Sequence, residues 1–199
     1  PPELPAPQRE ALALQVKPPI LYTNVALRNG QAWKKRGIGA AIAPGSYHVN
    51  AMLDFPVSLG GVRYAESVDD PVLVHMTRVP CKPGLAPRDQ HRAGQRELLT
   101  TPFENIERGI RGQLAGMLSS GGFDPARDIA GITVNRWPHG YAYSPDLTWE
   151  PEWNSDAEKP WVIGRQPFGR ISIANSDAGA KPDTNAAISQ AYRAVTELT

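Results

Sequence analysis

Prolines at the ends of apolar segments constrain this chain more than any other feature of its sequence. Proline has no N–H for a helix or a sheet ladder and turns the preceding residue away from helical angles, so each one marks where a regular element stops or starts. Pro18 and Pro19 end a short helix expected over residues 8–16 and hand the chain to residues 20–27, which read as a strand. Pro71 and Pro80 bracket another extended segment, residues 72–79. Between them residues 47–55 alternate, with Tyr47, Val49, Ala51, Leu53 and Phe55 on one face and His48, Asn50, Met52 and Asp54 on the other. Such strands, separated by irregular loops, predict an antiparallel sheet.

The clearest helix follows. Thr101 is placed as an N-cap, with Pro102 at the first helical position and Glu104 where a capping box needs its carboxylate. Phe103, Ile106, Ile110, Leu114, Met117 and Leu118 form its apolar stripe, and Gly121 and Gly122 are its expected end. A sheet followed by a long helix gives an α+β module up to about Asp128. Beyond it we expect a strand at 132–135, an aromatic loop, strands at 161–164 and 171–174, and a final helix. Asp183 or Thr184 caps that helix, with Ala187, Ile188, Ala191, Val195 and Leu198 on one face. Residues 144–160, rich in Pro, Trp and acid, lack periodicity and read as a surface loop. The expected division is therefore 1–128 and 129–199.

Charge excludes some functions. The 21 basic and 20 acidic residues leave a net charge of +1 without a long run of either sign, which argues against nucleic-acid binding and against a polybasic membrane surface. No apolar stretch approaches the ~20 residues of a membrane span, so a soluble chain is expected. The start, Pro1-Pro2-Glu3-Leu4-Pro5, carries neither an initiator Met nor a signal-like apolar region, and we read it as an internal entry point. The single cysteine, Cys81, excludes an intramolecular disulfide, disfavours a structural zinc site and is expected to be a buried, inert thiol. His48, His75 and His91 are too scattered to argue for a metal. The 20 prolines and 18 glycines are spread out, which predicts an ordered, loop-rich fold.

Two segments have the composition of a ligand site. Residues 135–143, NRWPHGYAY, gather aromatic faces, a His and a Gly that could line a flat pocket for a planar or cationic ligand. On composition alone the same aromatics read first as residues that fill a core and hydrogen-bond locally. Residues 164–180, GRQPFGRISIANSDAGA, run through a polar turn and small residues toward a helix. Small residues admit close backbone approach, an acid can hold hydroxyl groups, and a helix N-terminus favours electron-rich oxygens. The alternative is an ordinary turn with Asp177 as its local cap. Residues 37–45, GIGAAIAPG, lack the third glycine and the distal acid of a dinucleotide fingerprint, so they are not read as one.

Taken together, ITVNRWPHGYAY and FGRISIANSDAGA, supported by LYTNVALRN, APGSYH, VPCKPGLAPRDQHRAGQ and GFDPARDI, resemble the C-terminal portion of the FAD-dependent amine oxidoreductases, most closely the spermidine dehydrogenase kind. That resemblance implies an α+β / α/β fold in which an antiparallel substrate-domain sheet with helices (1–128) precedes a closing segment of a Rossmann-like FAD-binding domain (129–199). It implies FAD as cofactor, held by Asn175, Ser176, Asp177, Ala178 and Thr184, with haem as an additional group the resemblance allows. Trp137, His139, Tyr141 and Tyr143, with Pro138 and Gly140, would lie near the flavin ring and the substrate. Tyr47, His48 and Asn50 could reach the same place, and Arg136, Arg165 and Arg170 could meet phosphate or merely pair with nearby acids. Asp146, Glu150, Glu152, Asp156 and Glu158 could hold a polyamine's spare ammonium groups or simply be a solvated acidic loop. The implied partners are a preceding FAD-binding part of the same protein, a polyamine or other amine, an electron acceptor and a second copy in a homo-oligomer. The implied compartment is the periplasm, with the cytoplasm as the other choice. A non-enzymatic subunit or binding module without its own flavin is the competing reading.

Overall fold

The computed structural model describes residues 3–54, 57–146, 148 and 150–199. In chain order the elements are α1 (Ala6–Leu14), β1 (Ile20–Leu27), α2 (Gln31–Arg36), β2 (Ala40–Ile42), β3 (Asn50–Asp54), β4 (Val72–Arg78), α3 (Pro87–Thr100), α4 (Phe103–Leu118), α5 (Pro125–Asp128), β5 (Ile129–Trp137), α6 (Pro160–Gly164) and α7 (Thr184–Leu198). They divide into a sheet unit, Pro18–His139, and a terminal unit, Pro1–Lys17 with Gly140–Thr199. The sheet unit extends past Asp128 to His139, because β5 starts at Ile129 and pairs with β1 inside that unit.

The sheet unit holds a five-stranded sheet in the order β2-β3-β4-β1-β5, with every neighbouring pair antiparallel. Strand alternation sorts its residues. Leu21, Thr23, Val25 and Leu27 of β1 and Val72, Val74 and Met76 of β4 are buried, while Tyr22, Asn24, Leu73, His75 and Thr77 occupy the second face and are half-buried. The α4 stripe joins the same core, with Ile106, Ile110, Leu114 and Leu118 all buried. Each such side chain contributes about 1.5–3 kcal/mol by leaving water. Trp33 of α2, Leu98 of α3 and Phe123 complete it.

Several expectations change here. Thr101 does not cap α4: it ends α3, and its hydroxyl donates to the Glu97 carbonyl at 2.7 Å. Pro102 precedes α4 instead, and no side chain caps that helix. The cause is α3 itself, which the sequence reading lacks because residues 87–100 carry mostly charged and amide side chains with little apolar stripe. What places this helix is Gly94, where an added Cβ would fall 1.8 Å from the Pro80 carbonyl oxygen. Only glycine lets α3 lie so close to the chain leaving β4.

The alternating segment at 47–55 is shortened to β3, and its phase inverts at the entry. Val49 is exposed and His48 is wholly buried, because the His48 backbone is clamped by the Gln113 side chain, accepting at 3.1 Å and donating at 2.8 Å. Phe55 lies outside the described residues. Cys81 is exposed rather than buried. The GIGAAIAPG segment spans the end of α2 and the edge strand β2, with no βαβ unit around it.

In the terminal unit both expected strands dissolve. Residues 161–164 belong to α6, with Pro160 in its first turn, since a short apolar run has no period to separate helix from strand. An added Cβ at Gly164 would lie 2.9 Å from the Gln15 side chain and 3.1 Å from Leu12, so α6 packs directly on α1. Residues 171–174 form a single bridge, Phe168 to Ile171. Asp183 caps α7 as expected, accepting from the Ala186 N–H at 2.6 Å. The anticipated apolar stripe of α7 is turned outward: Ile188, Ala191, Val195 and Leu198 are exposed, Ala187 is half-buried and Ala194 is buried. Residues 144–160 form the expected loop, closed by one 3₁₀ turn at Asp156–Glu158, with Leu147 and Trp149 outside the described residues. No helix of the described residues is long and apolar enough to cross a membrane.

His48 gives the fold a pH dependence. Its Nε2 lies 3.0 Å from the Thr23 hydroxyl, its Nδ1 is buried with no partner among the described residues, and desolvation followed by the Arg78 charge pushes its pKa down to about 4. The folded state thus binds fewer protons than the unfolded state, whose histidine titrates near 6.5. The stability is fully present above pH 6.5 and is lost as the pH falls from there through 4, to a total of about 3 kcal/mol. Urea unfolding between pH 7.5 and 4, compared with His48→Gln, should show that extra loss only in the parent chain. Equal losses in both would refute a buried neutral imidazole.

Candidate functional site

Small polar turns dominate the terminal unit, and Asp177 is where they meet. The residue opens a 3₁₀ turn, Asp177–Gly179, that precedes the loop into α7. Its two oxygens are used separately. Oδ1 accepts from the Tyr143 N–H at 2.7 Å, and Oδ2 accepts from the Lys17 ammonium at 2.6 Å and from Asn175 Nδ2 at 3.3 Å. The local cap is therefore not Asp177 but Asn175, whose Oδ1 accepts from the Ala178 N–H at 2.9 Å. Ser176 contributes its carbonyl to the Gly179 N–H, and Ala178 is buried beneath the turn. Arg165 braces the other side, donating to the Ala178 carbonyl at 2.8 Å and to the Gln190 side chain at 3.3 Å. Burial and the neighbouring Arg193 charge hold its guanidinium below the usual value.

Lys17, Arg165, Asn175 and Asp177 line a cleft of about 190 Å³ with Leu12, Gln15, Ile173 and Ala178. Sites that enclose a whole drug-sized ligand run from about 300 to 1,000 Å³. This cleft therefore fits one polar end of a ligand. The Lys17 charge matters to that fit, since a bare carboxylate would repel phosphate while the ion pair leaves a neutral patch with a donor and an acceptor. Thr184, expected beside it, is the exposed first residue of α7.

The aromatic stretch does not stay together in one unit. Trp137 ends β5 in the sheet unit, half exposed and stacked on Tyr22 with ring centroids 5.5 Å apart and planes 17° apart. His139 closes that unit, its Nδ1 3.3 Å from Gln95 Nε2. Tyr141 and Tyr143 begin the terminal unit, the first exposed and the second buried. Tyr143 donates its hydroxyl to Glu150 at 2.5 Å, and burial together with that carboxylate raises its pKa. Tyr143 thus serves the unit's core, tilted against Trp161 at 6.0 Å, which in turn meets Trp153 edge-on at 5.1 Å.

The sheet's second face adds residues that the sequence reading missed. The Tyr22 ring also packs on His75, at 4.4 Å, and His75 Nδ1 lies 3.0 Å from Asn24 Oδ1. With that oxygen accepting, Nδ1 carries the hydrogen and Nε2 its lone pair. Desolvation lowers the His75 pKa, opposed by the Asp54 charge, so the ring is neutral at pH 7. Asn50 lies on this face too, but its Oδ1 is committed to the Thr77 N–H and hydroxyl, both at 2.9 Å. The signal for this cluster was present in β1, where alternation sends Tyr22 and Asn24 away from the apolar core. Tyr47 and His48 belong instead to the core edge, with the Arg78 guanidinium 4.5 Å above the Tyr47 ring.

The remaining candidates have local duties. Asp146 accepts from the Thr148 N–H, Asp156 pairs with Lys159 and Glu158 accepts from the Asn154 N–H. Arg136 donates to the Leu98 and Leu99 carbonyls at the end of α3, and Arg170 is exposed. Among the described residues no cluster of His, Cys, Asp and Glu could hold a metal ion.

The Lys17–Asp177 pair is partly buried, with side chains 30% and 15% exposed. A double-mutant cycle of Lys17→Met and Asp177→Asn, read by urea unfolding, should give a coupling of about 1–2 kcal/mol. A coupling indistinguishable from zero would mean the pair does not form.

No family model matches the chain, and no curated protein matches it. Among solved structures it is similar to a double mutant of putrescine oxidase from a structure-based redesign of cofactor binding, with 14% identity and a TM-score of 0.60. The match covers 99% of this chain and 38% of that one, so the chain spans well under half that protein's length. Over that span the chain has the mixed helix and antiparallel-sheet fold of putrescine oxidase.

Proposed function

We propose that this chain is the later part of a flavin-dependent amine oxidoreductase that oxidises a polyamine such as spermidine. The observation that carries the reading is the shared fold with putrescine oxidase over 99% of the chain. The motifs NRWPHGYAY and ANSDAGA support it, and so does the aromatic and amide character of the sheet's second face.

In this reading Asn175, Asp177 and Ala178, which line the cleft, hold the polar end of FAD together with Ser176 of the same turn, and Lys17 and Arg165 line the cleft beside them. FAD, when bound, supplies the acceptor for hydride from the carbon next to the amine nitrogen. The chain's own residues prepare the amine. The Tyr22–Trp137 stack offers aromatic faces to a cationic polyamine chain. The His75 Nε2 lone pair can accept the amine proton. Tyr141 and His139 are further candidates for contact with substrate. The same reading places the whole protein in the periplasm, delivering electrons to an acceptor other than a nicotinamide, with haem as one such carrier.

The substrate is tested on the full-length protein under anaerobic conditions. Spermidine or putrescine should bleach its flavin absorbance, and bleaching by sugars or hydroxy acids with none by amines would overturn the reading. The cofactor role is tested at Asp177. Asp177→Ala should weaken flavin binding about tenfold to a hundredfold, the effect of one charge-assisted hydrogen bond. Lys17→Met breaks the same ion pair but keeps the carboxylate, and should weaken flavin binding less. Equal losses in both variants would reduce Asp177 to a structural role.

A further inference from the structure

A second cleft is present in the sheet unit. Gly94 seats α3 against the Pro80 carbonyl, and this contact places the chain after β4 alongside the first three turns of the helix. The groove so formed has a volume of about 760 Å³, within the range of small-molecule sites. Lys82 lines it from the chain after β4, and Arg92 and Arg96, one turn apart on α3, line it from the helix. All three are exposed, and none forms an ion pair among the described residues.

The carboxylates nearby do not cancel this charge. Glu97 also lines the groove, but its Oε1 accepts from Arg78 Nη2 at 2.6 Å and from Arg78 Nε at 3.1 Å. That leaves Asp89, in the first turn of α3, against Lys82, Arg92 and Arg96. Two arginines whose backbone positions are about 6 Å apart along a helix, with a lysine lining the same groove, match a ligand with two or more anionic groups, since each guanidinium can give two parallel hydrogen bonds to a phosphate or carboxylate. We propose that this groove binds a small polyanion carrying phosphate or carboxylate groups. None of the groove's side chains is assigned to flavin or amine in the proposed function, so the two readings can fail separately.

Cys81, the single cysteine of the chain, is exposed and lines the groove, which makes it a built-in reporter. Its modification is followed in the intact chain with a dianionic disulfide, dithiobis-nitrobenzoate, and with neutral dipyridyl disulfide, each rate divided by that for free N-acetylcysteine. At low salt the anionic reagent should be favoured about tenfold. Inorganic pyrophosphate or citrate should protect Cys81 saturably at submillimolar concentration. Replacing both arginines, Arg92→Glu with Arg96→Glu, should abolish the preference and the protection without moving the unfolding midpoint. Should the reversed charges disturb folding, Arg92→Gln with Arg96→Gln serves the same purpose. A reagent preference of one, protection no greater than sodium chloride gives at equal ionic strength, or protection by poly-glutamate alone would each overturn the proposal.

Discussion

β1 is the strand on which the sheet unit depends, because it is paired along nearly its full length on both sides, with β4 and with β5. A strand paired on both edges has no freedom of register, and a slip of one residue would exchange its two faces. Leu21, Val25 and Leu27 would then leave the core shared with α4, and Tyr22 and Asn24 would enter it. One hydrophobic alternation thus decides both where the apolar core lies and which residues the second face presents. The buried Thr23–His48 contact sits on the core side of the same strand and is tolerated because the hydroxyl meets the imidazole nitrogen.

The terminal unit is held by a different kind of force. Its buried residues are mostly small or polar: Gln8, Ala11, Tyr143, Ala178, Ala180 and Ala194. Side chains stitch distant backbone together instead. Gln8 donates to the carbonyls of Gly164 and Gln166, Arg193 to the Ile173 carbonyl and Arg165 to that of Ala178. Such bonds contribute about 1 kcal/mol each but demand geometry, since a buried partner left unpaired costs more. A unit of this construction keeps its polar turn in place without a large apolar core, and the Asp177 turn inherits that rigidity. The outward face of α7, with Ile188, Tyr192, Val195 and Leu198 exposed, belongs to the same economy of apolar burial.

The candidate site was legible only in pieces. Asp177 and its neighbours stood out because small residues and an acid before a capped helix form a contiguous pattern. The aromatic stretch stood out too, yet the structure assigns Trp137 and His139 to one unit and Tyr141 and Tyr143 to the other. Neighbours in sequence were parted because β5 ends at Trp137, after which the chain leaves the sheet. Lys17 was invisible as the partner of Asp177, since the 160 residues separating them leave no periodic trace. His75 was seen only as an isolated histidine, because its meaning comes from strand pairing that sets it beside Asn24.

What the sequence determined by itself was local: β1, β4, α4 and the α7 cap, each specified by proline boundaries, apolar period or a capping side chain within a few residues. Where several local codes agree, the element needs no distant partner to be recognised. Tertiary structure decided the rest. It turned 161–164 into helix by packing Gly164 on α1, placed the charged helix α3 through a single glycine contact, reversed the phase at His48 and exposed Cys81. At Gly164 and at His48 the deciding contact joins residues far apart in the chain, and short apolar or charged segments carry too little intrinsic preference to resist it.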